Sequence, residues 1–211
     1  HPNGDWGGYS YAWSEDRTDA TLVRGGQTAE LSGIEWTWPS GAQCMQCHTR
    51  AAKRSLGLEV LQLDDDFQYP NGRTANQLTT LQHIGVVDGE APAGVSGMPS
   101  LTGDAPIEER ARAYLHTNCS MCHRPNATGG GAGDLRFGTE DPNLCNVDPE
   151  RGNLGVEEAK LVVPGHPERS VVPLRMKTTE RERMPPVSSL IVDEEGVALI
   201  EAWIGSLETC E

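Results

Sequence analysis

The sequence predicts a mainly α chain of two units with long loops, preceded by a small aromatic-rich β segment. Three observations carry that reading. The pattern C-x-x-C-H occurs twice, at Cys44-Met45-Gln46-Cys47-His48 and at Cys119-Ser120-Met121-Cys122-His123. Apolar residues recur at helical spacing ahead of the second motif and again at the C-terminus. Aromatic residues alternate along residues 1–40, as they do on a strand face. The division is therefore 1–40 for the aromatic extension, 41–100 for a first, irregular unit, and 101–211 for a second.

The extension comes first. Tyr9, Tyr11 and Trp13 alternate, as do Ile34, Trp36 and Trp38, so each set shares one side of a strand. Residues 23–27, with Gly25-Gly26 at their centre, read as a turn. These aromatics have three possible uses: packing on the first cofactor, docking another domain, or forming an ordinary core. Ser40 is the candidate N-cap of a short helix carrying the first motif. Residues 56–63 are apolar, and Asp64-Asp65-Asp66 reads as a solvated turn. The pattern over residues 74–84 predicts a helix stopped by Gly85. Residues 88–104, rich in Gly, Pro, Ser and Asp, read as a linker.

In the second unit Asp104 is expected to cap a helix over residues 105–118, with Glu108 and Glu109 in its first turn. That helix leads directly into Cys119. Residues 124–155 are glycine-rich and irregular. Ser170 is a candidate cap for a helix reaching Met176. Asp193 opens a last helix whose stripe is Val197, Ile200, Ile204 and Leu207.

The two motifs carry the chemistry. C-x-x-C-H is the signature of covalent c-type haem attachment. Two thiols one helical turn apart add to the two vinyl groups, and the adjacent His supplies the proximal imidazole. Zinc ribbons also pair C-x-x-C units, but typically ~15–20 residues apart and without the extra His. A thioredoxin-like motif would need a βαβ setting, which neither site has. Two covalently bound haem c groups are thus expected, anchored by Cys44, Cys47, Cys119 and Cys122, with His48 and His123 as proximal iron ligands.

Distal ligands are the harder assignment. Met184-Pro185-Pro186 lies just before the last helix. Its thioether, in a proline-stiffened loop, is the expected sixth ligand of the second iron. Met176 is read as core. For the first iron the reading is Met98, in Gly97-Met98-Pro99, with His83 as alternative and an open or water-ligated iron as a third possibility. His116 and His166 are not expected to be ligands.

Bulk properties limit the partners. The formal charge is −14, from 31 acidic and 17 basic residues, which disfavours nucleic-acid binding. It favours instead a redox partner with a basic docking face. With 24 glycines, 14 prolines and only 36% hydrophobic residues, the chain has a modest aliphatic core, and the apo-protein is expected to fold poorly. No apolar run approaches a membrane span. The start at His1 rather than Met reads as processing or trimming. Covalent haem attachment, together with the two remaining cysteines, points to a bacterial periplasmic, cell-surface or secreted location. Cys145 and Cys210 are expected to form a disulfide rather than remain as two free buried thiols.

The second unit also resembles a class I cytochrome c in its order: helix, haem motif, loops, helix, Met-Pro loop, terminal helix. The chain as a whole resembles secreted bacterial dihaem cytochrome c modules. These often lie C-terminal to quinoprotein dehydrogenase-like or other extracellular domains. The matching segments include Asn3-Gly4-Asp5-Trp6-Gly7-Gly8-Tyr9, Trp38-Pro39-Ser40, Leu56-Gly57-Leu58, Asn76-Gln77-Leu78, residues 114–125, Asp134-Leu135-Arg136-Phe137, Val163-Pro164-Gly165, and residues 183–186 and 203–210. The resemblance implies an electron carrier working between an extracytoplasmic donor, such as a fused or separate dehydrogenase, and an acceptor. Two alternatives remain. One is a dihaem oxidoreductase of peroxidase or thiosulfate dehydrogenase type, with a labile sixth ligand at the first haem. The other is a partner-docking or filament-forming cytochrome.

Overall fold

The computed structural model describes residues 1–89, 97–131, 133–187 and 189–210. Six α-helices, one 3-10 turn and three separate two-stranded antiparallel sheets are present among them. Part of the expected 88–104 linker, residues 90–96, lies outside the described residues.

The N-terminal segment forms two hairpins. β1 (Ser10–Trp13) pairs with β2 (Ala20–Val23), and β3 (Gln27–Leu31) pairs with β4 (Ile34–Trp38). Ser32 and Gly33 close the second hairpin with φ of 55° and 80°. Two positive φ values in a two-residue loop match the right-handed twist of the flanking strands. The strand alternation is present, but its aromatic side faces outward: Tyr9, Tyr11, Trp13 and Trp36 are all more than half exposed. These side chains do not form a core; only Trp38 of the second set is half-buried. The Ser10 hydroxyl donates to Pro39 O at 2.7 Å, which ties β1 to the entry of the first helix.

α1 (Gly41–Cys47) starts at a full capping box: Ser40 accepts from the Gln43 backbone, and the Gln43 side chain accepts from the Ser40 N–H. Cys44 and Cys47 sit three positions apart on this helix, so they share a face. α2 (Val60–Leu63) follows, then β5 (Asp66–Gln68) paired with β6 (Thr74–Asn76). The helix expected over residues 74–84 is shorter, because residues 74–76 are taken by β6. Asn76 then caps α3 (Gln77–His83) by accepting from Thr79 N at 2.9 Å. Asp64 is likewise occupied, accepting from Asn76 Nδ2.

α4 (Ile107–Cys119) begins after Pro106, which takes the N-cap position expected of Asp104. Proline fixes φ there and has no N–H to leave unpaired. α5 (Val171–Lys177) follows Ser170, but that hydroxyl does not cap it. It accepts from Val163 N and donates to His166 O, joining two loops instead. α6 (Glu194–Ser206) is capped as expected, with Asp193 accepting from Gly196 N at 3.0 Å.

The core lies where α4 meets α6. Ala111 and Leu115 of α4 pack with Leu199, Ile200, Trp203 and Ile204 of α6, and Leu144 and Val162 from the long loops close the cluster. Gly196 permits the crossing: a Cβ there would sit 2.3 Å from the Tyr114 ring. Tyr114 in turn donates to Asp193 at 2.9 Å, and burial followed by that contact raises its hydroxyl above its ordinary range. By contrast, Ala52 and Leu78 are the only buried apolar side chains among the described residues before 100. Cys145 and Cys210 form a disulfide that closes a separation of 65 residues and fastens the end of the chain to the long loop. No helix among the described residues is long and apolar enough to cross a membrane.

Two stability predictions follow from this packing. Gly196→Ala must displace the Tyr114 ring and should cost about 1–3 kcal/mol, whereas Gly205→Ala on the open side of α6, with nothing within 4 Å, should be neutral or stabilising. Denaturant unfolding of the two variants checks the contrast. Cys210→Ser, read the same way, should cost about 2–4 kcal/mol.

Candidate cofactor site

A cavity of about 960 Å³ lies beside the second motif. That is at the upper end of the size of small-molecule and cofactor pockets. Its wall includes Cys119, Cys122 and His123 on one part and Met184 with Pro185 and Pro186 on another. The proximal and distal candidates of the second unit, which are remote in sequence, thus face one space. Apolar side chains such as Leu135, Leu144, Leu161 and Val172 line much of the rest. Met176, expected in the core, packs against the core cluster and also contributes to this wall.

α4 delivers Cys119 as its last residue. The chain then turns tightly, with Cys122 N and His123 N donating to Cys119 O at 3.1 and 3.0 Å. His123 is held from two sides. Its carbonyl accepts from Leu135 N at 2.9 Å. Gly129 packs on the ring side: a Cβ there would lie 2.6 Å from Cys122 O and 2.8 Å from His123 Nδ1. Burial, with Arg151 adding to it, lowers the affinity of His123 for a proton. The Asp134–Arg136 pair, in contact through Arg136 Nε at 2.9 and 3.1 Å, flanks Leu135 and steadies this support.

Met184 is positioned by Arg175. Met184 N donates to Arg175 O at 2.9 Å, while the Arg175 guanidinium donates to Glu182 O, Arg151 O and Gly152 O. Arg183, next in the loop, has a buried Nε with no hydrogen-bond partner among the described residues. Its Nη1 donates to Thr179 O and Glu180 O, both at 3.2 Å, and the residue contributes to the cavity wall. The wall carries arginines 151, 175, 181 and 183 and also Asp148, Glu150, Glu182 and Asp193, so its charge is mixed.

The first motif is arranged differently. His48 Nδ1 hydrogen-bonds to Arg54 O at 2.7 Å, which fixes the ring and leaves Nε2 for other use. Lys53 and Arg54 both adopt left-handed backbone, φ 59° and 68°, and so turn that carbonyl toward His48. Arg54 Nη1 also donates to His48 O at 3.0 Å. On the other side, Gly8 lies against Cys44: a Cβ on it would be 2.7 Å from the Cys44 sulfur.

The distal candidates of the first unit are not brought to this cavity. Met98 is half-buried, its N–H bonded to Leu61 O at 2.8 Å, and His83 is exposed at the end of α3. Neither of them, nor His48, is part of the cavity wall, although Gln46 and Cys47 are. His116 is engaged elsewhere: its Nδ1 accepts from Phe137 N, and burial lowers its proton affinity. His166 pairs with Glu168 at the surface.

Gly8, Gly129, Arg54, Arg175 and Arg183 were not legible as site residues. A glycine's neighbours leave no local trace in the sequence, and an arginine that hydrogen-bonds main-chain carbonyls has no spacing rule. No group of three or more His, Cys, Asp or Glu side chains poised for a metal ion occurs among the described residues. A haem iron does not require one, because the porphyrin supplies most of its donors. Comparison with protein-family models, with curated proteins and with solved structures gave no match.

Gly129→Ala should displace His123, since the obstructing atoms include backbone and cannot yield cheaply. The nuclear magnetic resonance signals of the His123 ring are expected to shift, with Gly138→Ala, in open space, as the silent control. Gly8→Ala should push the extension off α1, read as faster backbone amide exchange over residues 8–13.

Proposed function

We propose that the chain is a dihaem c-type cytochrome, or an electron-transfer domain of that kind, working outside the bacterial cytoplasm. The observation that supports it best is the meeting of Cys119, Cys122, His123 and Met184 around one cofactor-sized cavity. Such a donor set has the thiols for covalent attachment, an imidazole and a soft thioether. The C-x-x-C-H motif at Cys44, Cys47 and His48 argues for a second attachment site.

Once bound, a c-type haem supplies one-electron Fe(II)/Fe(III) exchange. The chain's own part is positional. Cys119 and Cys122 anchor; Gly129 and Leu135 hold His123; Arg175 holds the Met184 loop. The thioether favours ferrous iron and so raises the potential. Leu135, Leu144, Leu161 and Val172 would give a bound ring an apolar surface over part of the wall. The acidic surface favours a partner with a basic face, whether a separate redox protein or a fused dehydrogenase. The Cys145–Cys210 disulfide fits an oxidising compartment. The fold class proposed is a pair of cytochrome c-like units bearing the two-hairpin extension.

A second reading rests on the first unit, where His83 is exposed at the end of α3 and the Met98 segment is tied to Leu61 O. A sixth position left free there would suit a dihaem oxidoreductase. Cyanide binding to one iron per chain would favour that reading; two permanently low-spin irons would favour the carrier.

The deciding experiment is a redox titration followed by absorbance, including the weak near-infrared band of Met-ligated ferric haem. The wild type should show that band, and Met184→Ala should lose it from one centre and lower that centre's potential. Met98→Ala and His83→Ala, made separately, identify the first distal ligand. A colourless protein, or an intact mass lacking two added tetrapyrroles, would overturn the proposal.

A further inference from the structure

The two motifs, far apart in sequence, touch in the fold. Cys122 Sγ lies 3.4 Å from Cys47 Sγ and 3.3 Å from Gln46 O. The Thr128 hydroxyl also donates to Gln46 O. Behind this contact the first unit is seated on α4: Gln62 Nε2 donates to Thr117 Oγ1 at 3.0 Å, and Glu59 approaches His116 Nε2 at 4.0 Å. The sulfur contact is therefore one of several that bind the end of α1 to the end of α4. The same Gln46 and Cys47 form part of the wall of the cavity at the second motif.

Each of these cysteines is the second of its motif, and each is a thioether anchor on the reading above. In a thioether-linked haem one carbon separates the sulfur from the ring. Two sulfurs in contact thus hold two ring edges within about 10 Å of each other. The geometry points to a single electronically coupled pair: Cys47 and Cys122 seat the two cofactors edge to edge, and the shortest path between the centres runs through their sulfurs. The inference rests on the dihaem reading but goes beyond it, since two haems could equally be held at opposite ends of the chain. Gln46 and Thr128 act as positioning residues, because their contacts fix the two anchors against one another.

The test uses the native holoprotein. Neighbouring haems couple their Soret transitions, so the circular dichroism of the dihaem protein should show a two-signed Soret feature. That feature should be absent from the summed spectra of two single-haem variants, Cys44→Ala/Cys47→Ala and Cys119→Ala/Cys122→Ala. Should either variant fail to fold, the wild type alone decides. Iron anomalous scattering from crystals of the holoprotein gives the iron–iron separation, and spin relaxation in the fully oxidised sample should be faster than in the half-reduced one. Two haems by mass with an additive Soret spectrum, or irons farther apart than rings in edge contact permit, would overturn the pairing and leave the dihaem reading standing. Fewer than two haems by mass would remove both.

Discussion

The crossing of α4 over α6 is the constraint on which the rest depends. It is set by a glycine facing an aromatic ring, Gly196 on Tyr114, and secured by the Tyr114–Asp193 hydrogen bond. Because the helices approach closely, Ala111, Leu115, Ile200 and Ile204 lose nearly all contact with water. That burial is the main apolar stabilisation in the described structure. It also orients the C-terminal end of α4, and with it Cys119, Cys122 and His123. The site is therefore an extension of the core rather than a loop added to it.

The two halves of the chain are held together by different means. The second has its own buried cluster and a disulfide. The first has little apolar burial, and its order comes from caps, short ladders and main-chain contacts such as His48 to Arg54. It is also seated on α4 through Gln62 and Glu59. A segment with so small a core must draw stability from what it touches. A porphyrin covalently held at Cys44 and Cys47 would add apolar area where the polypeptide supplies least.

What the sequence made legible was whatever is encoded locally. The caps at Ser40 and Asp193 and the stripe of α6 could be read from residue type and spacing, and the pairing of Cys145 with Cys210 from their being the two cysteines outside the motifs. The order of elements set Met184 opposite His123 as an expectation, and both residues line one cavity. Illegible were the features fixed by approach through space. Thr74 and Ala75 look helical by pattern but pair with β5, because a strand partner outweighs a weak local preference. The aromatic alternation gave the strands but not their outward orientation. Ser170 has the right residue type for a cap, yet two loop groups compete for its hydroxyl and win. Gly8 and Gly129 matter only for what they lie against.

Gly8 carries one further implication, for the approach to Cys44. The backbone of the N-terminal extension rests directly on the Cys44 side chain, with too little space for even a methyl group between them. That side chain is half-buried, so one flank is shut by the hairpins and another stays open. Residues 1–40 thereby limit the directions from which anything can come to this sulfur.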